Sequence, residues 1–151
     1  MSIRDLIDSN CIALSKSTTI SSATQHLLSH KLSSVAVTDS NGCYLGMFSM
    51  HRLLSLLLPK AVLIDGGVSD LGFVSDPMEI LCERMREHGD RQIGDVLEKR
   101  APVAYPDTPL LEVVLHLYRG ENDMPVVEKE NNQFIGMLAG SILLDKVCKG
   151  N

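Results

Sequence analysis

The chain has 151 residues, of which 44% are hydrophobic and 22% charged, with no Trp, three Phe and three Tyr. This is the composition of a globular protein with an aliphatic core, and the length suits one domain or two small repeated halves. Fourteen Lys and Arg against 19 Asp and Glu give a net charge of −5, and with no basic cluster this excludes a general nucleic-acid binder.

The opening "MSIRDLIDSN" is acidic and mixed, so it does not read as a signal peptide, and a cytoplasmic protein is expected. Within it, "SIRDLI" is a short amphipathic turn, and "CIAL" (11–14) follows as a short strand. In "KSTTISSATQHLLSHK" (16–31), Ser17, Thr18 or Thr19 is an N-cap, and Ile20, Ala23, Leu27 and Leu28 share one helical face. "SSVAVTD" and "YLGMFS" are strands joined by the turn "SNG", and "MHRLLSLLL" (50–58) is a closing helix. The apolar run "LLSLLLPKAVLI" (53–64) is interrupted by Pro59 and Lys60 and is too short to span a bilayer.

Next comes "AVLIDGGVSDLGFV", an apolar run with Gly-rich turns that lacks the glycine order of a phosphate loop. "DPMEILCERMREHGD" predicts a helix over about 77–88, with Asp76 as cap, Pro77 in the first turn, Glu79 placed for a capping box and Gly89 as stop. This connecting segment is either an elaborated linker packed on the rest or a flap or contact arm. "QIGDVL" is again a short turn and "PVAY" a short strand. "PDTPLLEVVLHLYRG" is a helix with Asp107 or Thr108 as cap, Pro109 in its first turn and Gly120 past its end. "DMPVVEK", the turn "ENNQ" and "FIGMLA" form a second hairpin, and "GSILLDKVC" closes the chain as a helix.

The second series repeats the first. Residues 3–54 align with residues 93–144 at a constant offset of 90 without a gap, and 11 of the 52 positions are identical, including His26/His116, Gly46/Gly136 and Met47/Met137. Unrelated sequences of this composition would give roughly 3 identities. An internal duplication follows, each copy ordered β-α-β-β-α. The units are residues 1–58, a connection over 59–91, and residues 92–151.

The stretches "TTISSATQHLLSHKLSSVAVTDSNGCYLGMFSMHRLL" and "TPLLEVVLHLYRGENDMPVVEKENNQFIGMLAGSILL" resemble the CBS domain, the module named for cystathionine β-synthase. The resemblance implies an α+β fold in which two CBS repeats form one pair, a Bateman module, packed through their sheets with two clefts between them. It also implies a regulatory, non-catalytic role. Such clefts commonly hold AMP, ADP, ATP or S-adenosylmethionine, and such modules often pair into flat homodimers. In the family pattern S/T-x-x-D at the last strand–helix junction, the hydroxyl caps the helix and the Asp holds the ribose hydroxyls.

This chain departs from that pattern. Ser49 keeps the hydroxyl, but Arg52 stands in place of the Asp, and a guanidinium accepts no hydrogen bond. The second junction has Ala139 and Ile142 and lacks both groups. Arg52 in the first turn of a helix either completes an anion site or extends to solvent. The resemblance implies a leading cleft beside Ser49, His51 and Arg52, with Cys11, Ile12, Ser34 and Val35 in its wall. A weaker cleft is expected near Pro102, Val103, Met124, Pro125 and Ser141.

No metal site and no catalytic residues are expected. His26 and His30 have helical metal-ligand spacing but no third ligand, and read as a solvated helix face. Cys11, Cys43, Cys82 and Cys148 have no C-x-x-C spacing and read as reduced thiols. The leading function is a sensor of an adenosine nucleotide or related anionic metabolite that informs a separate effector protein. The alternative is a degenerate scaffold that acts by dimerisation or protein contact. The surplus leucines near Leu53–Leu58 and the apolar face near Leu143–Val147 place the homodimer contact on the helices after the two junctions.

Overall fold

A computed structural model describes residues 2–8, 11–58, 77–120 and 123–150. The string "AVLIDGGVSDLGFV" and the expected Asp76 cap lie outside these residues. The fold is α+β, with two three-stranded sheets.

A 3-10 turn at Ile3–Leu6 leads into β1 (Ile7–Asp8). Ser2 N–H donates to Asp5 Oδ2, and Ser2 Oγ accepts from Arg4 N–H, which fixes the turn. The first repeat continues with β2 (Leu14–Ser15), α1 (Ile20–Ser29), β3 (Ser34–Thr38), β4 (Tyr44–Ser49) and α2 (Met50–Leu57). Thr19 is the α1 cap and accepts from Ser22 N–H, and Ser49 caps α2 by accepting from Arg52 N–H.

The helix α3 (Pro77–Gly89) packs against α1 and α2, and Arg84 donates to the Leu58 carbonyl where α2 ends. The second repeat has a 3-10 turn at Ile93–Asp95, then α4 (Leu110–Arg119), β5 (Asp123–Val127), β6 (Phe134–Ala139) and α5 (Gly140–Lys149). Here the expected α4 cap is corrected. Pro109 itself is the N-cap and Thr108 Oγ1 accepts from Tyr105 N–H in the preceding turn. The strand expected in "PVAY" is reduced to a single parallel bridge between Ala104 and Val126.

The sheet orders are β2-β3-β4 and β1-β6-β5. Side chains alternate across each strand. Val35, Val37 and Phe48 join Ile20, Ala23 and Leu27 in the first helical core, whereas Ala36 and Met47 turn the other way and meet Met137 between the sheets.

The two cores do not follow the repeat boundaries. Ile3 and Leu6, from the start of the first repeat, are buried in the second core with Val113, Met124, Val126 and Leu138. Ile93 and Val96, from the start of the second, are buried in the first core. The backbone pairing is reciprocal: Asp8 pairs with Met137, and Glu98 pairs with Met47. Hairpin tips complete the symmetry. Tyr44 N–H donates to Asn132 O at 2.9 Å and Phe134 N–H to Gly42 O at 3.1 Å, so equivalent residues exchange bonds across a pseudo-twofold axis.

Gly46 and Gly136 hold equivalent places under these exchanged segments. A Cβ on Gly46 would lie 3.0 Å from Glu98 O and 3.2 Å from Leu97 Cβ; one on Gly136 would lie 3.0 Å from Asp8 O and against Ile7 Cγ2. Gly136→Ala is expected to lower unfolding free energy by about 1–3 kcal/mol through overpacking, and Gly46→Ala to do the same. Urea denaturation of both variants measures it, and wild-type midpoints would contradict the close approach.

Two clefts between the repeats

Because the sheets meet about a pseudo-twofold, the last strand of each repeat faces the leading segment of the other. Two mated clefts result. The first, of about 230 Å³, is lined by Met47, Ser49 and His51 from one repeat and by Pro102, His116, Met124 and Pro125 from the other. The second, of about 410 Å³, is lined by Cys11, Ile12, His26 and Val35 from one repeat and by Met137, Ala139 and Ser141 from the other. At the 90-residue offset, Ile12 answers to Pro102, His26 to His116, Val35 to Pro125 and Ser49 to Ala139.

The expected grouping is therefore corrected. Ser49 and His51 share a cleft with Pro102, Met124 and Pro125, whereas Cys11, Ile12 and Val35 share one with Ser141. Ser34 borders both. Reading each copy as its own cleft missed the crossed packing of the sheets. Arg52 and Val103 line neither cleft. The half-buried Arg52 instead donates through Nε to the Val96 carbonyl at 2.9 Å, so it ties α2 to the exchanged segment.

The cation that borders the first cleft is Arg100, with His116 and Glu98 nearby in the lining. Arg100 carried no sequence signal, since it lies in an irregular stretch outside any motif. His116 did: it is the identical repeat mate of His26, and the two hold equivalent places in the two clefts. His26 and His30, read as a solvated helix face, both border the second cleft, with His30 exposed and His26 half-buried. Their rings lie 4.3 Å apart, and His30 Nδ1 is 3.0 Å from the His26 carbonyl. Among the described residues no group of three or more His, Cys, Asp or Glu is placed to hold a metal.

Burial pushes the Cys11 thiol up, and its Sγ donates to Asp8 O at 3.0 Å, so it stays protonated and is a packing group. Tyr44, packed against the inter-sheet cluster, is pushed up to about 12 by burial first and by the Glu98 carboxylate second.

The profile of the CBS domain family matches residues 3–59 and 93–147, more than half of the chain. The chain belongs to the CBS domain family. Among solved structures, this CBS pair is similar to CBSX2 in complex with AMP, at 18% identity and a TM-score of 0.70, covering 98% of this chain and 96% of that one. It is similar to CbpB in complex with c-di-AMP, at 13% identity and a TM-score of 0.70, covering 99% and 85%. Protein MJ1225 of Methanocaldococcus jannaschii matches at 14% identity and a TM-score of 0.74, covering 97% of this chain, which spans only 47% of that protein's length. At these identities the likeness is one of fold. No curated protein matches the chain. No helix among the described residues is long and apolar enough to cross a membrane.

The Tyr44 shift gives a test of the inter-sheet packing. Its folded pKa is raised above the unfolded value of 10.0, so its contribution is complete below pH 10 and is lost as pH rises toward about 12. Wild type is expected to lose stability between about pH 9 and about pH 11.5, and Tyr44→Phe, which installs the residue of its repeat mate Phe134, to lose less. Denaturation at the two pH values measures the difference, and identical losses would refute the burial of the phenol.

Proposed function

We propose that this CBS pair is a non-catalytic regulatory module that binds an adenosine nucleotide, or a related anionic metabolite, between its repeats and reports occupancy to a separate partner protein. The observation that carries the reading is the chemistry of the first cleft. Met47, Pro102, Met124 and Pro125 give apolar walls suited to a base, and Arg100, His51 and His116 line the same space as cationic or hydrogen-bonding groups for a phosphate. Each cleft carries two histidines and two carboxylates, Glu98 and Asp123 in the first and Asp8 and Asp123 in the second, so Arg100 is what favours a phosphate in the first. The AMP and c-di-AMP held by CBSX2 and CbpB support the ligand class. CBS domains are generally regulatory, which supports the absence of catalysis.

Calorimetry with AMP, ADP, ATP and S-adenosylmethionine tests this. Arg100→Ala is expected to weaken phosphate-bearing ligands by about tenfold through loss of a charge-assisted contact, while Arg52→Ala leaves affinity unchanged because Arg52 serves Val96. No heat with any of the four would favour the second reading, a scaffold without a small-molecule ligand, which the missing carboxylates at Arg52 and Ile142 motivate.

The proposal includes a homodimer. Leu54 on α2 and Leu144 and Val147 on α5 are exposed, and on α4 Leu111 is 83% and Tyr118 84% exposed. Exposed apolar side chains on helices of this kind are shielded by association. Light scattering at micromolar concentration is expected to give a dimer for wild type and a monomer for Leu144→Asp/Val147→Asp. A monomeric wild type would refute the contact.

A further inference from the structure

Two polar side chains are buried in the described core, Ser34 at 7% and Ser49 at 8% exposure. They are direct cross-strand partners in the β3–β4 register, and both line the first cleft. Their repeat mates are Met124 and Ala139, so the second repeat builds the same place from apolar groups. Ser49 Oγ has a local task, since it accepts from Arg52 N–H at 3.1 Å as the α2 cap. Ser34 has none: its Oγ is buried and has no hydrogen-bond partner among the described residues.

A buried hydroxyl left unpaired costs free energy that an apolar group of the same size avoids. The fold tolerates a methionine at the equivalent place, so it does not require a hydroxyl there. Ser34 also borders the second cleft, on the wall that the two clefts share. We propose that Ser34 is a specificity-determining residue whose hydroxyl pairs with a neutral hydrogen-bonding group of the ligand in the first cleft, a sugar hydroxyl or the polar edge of a base. A serine hydroxyl both donates and accepts, which suits such a group. It carries no charge, which leaves the phosphate to Arg100. The assignment rests on the nucleotide reading above and names what the site selects within it.

The test separates a ligand contact from a structural role by its signs. Without ligand, Ser34→Ala is expected to melt no lower than wild type, because it removes an unpaired polar atom. The same variant is expected to bind AMP about tenfold more weakly. Calorimetry with 2′-deoxy-AMP and with inosine monophosphate then locates the partner. Wild type binds the analogue that lacks the contacted group about tenfold more weakly than AMP, and Ser34→Ala no longer distinguishes the two. Ser34→Met, which installs the residue of the repeat mate, is expected to fold and to block the cleft. Unchanged AMP affinity in Ser34→Ala would overturn the assignment while leaving nucleotide binding intact, as would a lowered melting temperature with unchanged affinity. No binding of AMP to wild type would overturn the functional reading itself, and this assignment with it.

Discussion

The reciprocal exchange of leading segments is the constraint on which the rest of the structure depends. Ile3 and Leu6 close the second core, and Ile93 and Val96 close the first. A repeat of this size would be marginal on its own. The crossing strands add backbone pairing as well as apolar area, with Met47 N–H donating to Glu98 O at 3.0 Å and Glu98 N–H to Met47 O at 2.8 Å. They pass so close over β4 and β6 that only glycine fits beneath, which is why Gly46 and Gly136 stand at matching places. The sheets are thereby held face to face, and the clefts are the space left beside Met47 and Met137, where the inter-sheet cluster ends.

Symmetry of backbone does not carry over to symmetry of chemistry. The two clefts keep the same apolar frame, yet the polar groups have diverged position by position. His30 on one side answers to Gly120 on the other, and Ser141 answers to His51. Such divergence is cheap energetically at these four positions, because none of them belongs to either core. One scaffold can thus hold two sites of different selectivity, and the larger cavity need not be the better match for an anion. The connecting helix α3 adds a further asymmetry. It covers part of the α1–α2 surface, through Met85 against the first core and Arg84 on the Leu58 carbonyl.

Much of this was legible in the residues. The strands Tyr44–Ser49 and Phe134–Ala139 fall where period-two patterning and the duplicated glycine put them. The αL turns at Gly42 and Asn132 use residue types that tolerate positive φ, so both hairpins could be placed from sequence. What sequence did not show was which repeat each leading segment joins. "SIRDLI" and "QIGDVL" have the same pattern, and either would satisfy either core. The grouping of the clefts depends on that choice, so Ser49 was assigned to the wrong companions. Arg52 illustrates a second limit: a lone cation reads the same whether it awaits a phosphate or caps a carbonyl, and only the position of Val96 decides. Ser34 was placed in a cleft wall by the resemblance, but the unpaired state of its oxygen was not legible, because only the packing around it shows that the hydroxyl is buried.

The pairing of Ile7 with Leu138 joins positions near opposite ends of the chain. Such non-local closure is slow relative to local helix and hairpin formation, because the intervening loop must lose its entropy before the contact repays it. On a ribosome, the first strand has no partner until the last strand has emerged. The first core, by contrast, is complete once Ile93 and Val96 have been made. The residues of the first core are thus all made before the second core is complete, which needs Leu138 and Leu143. Until Leu138 has been made, Ile7 and Asp8 lack their pairing partners.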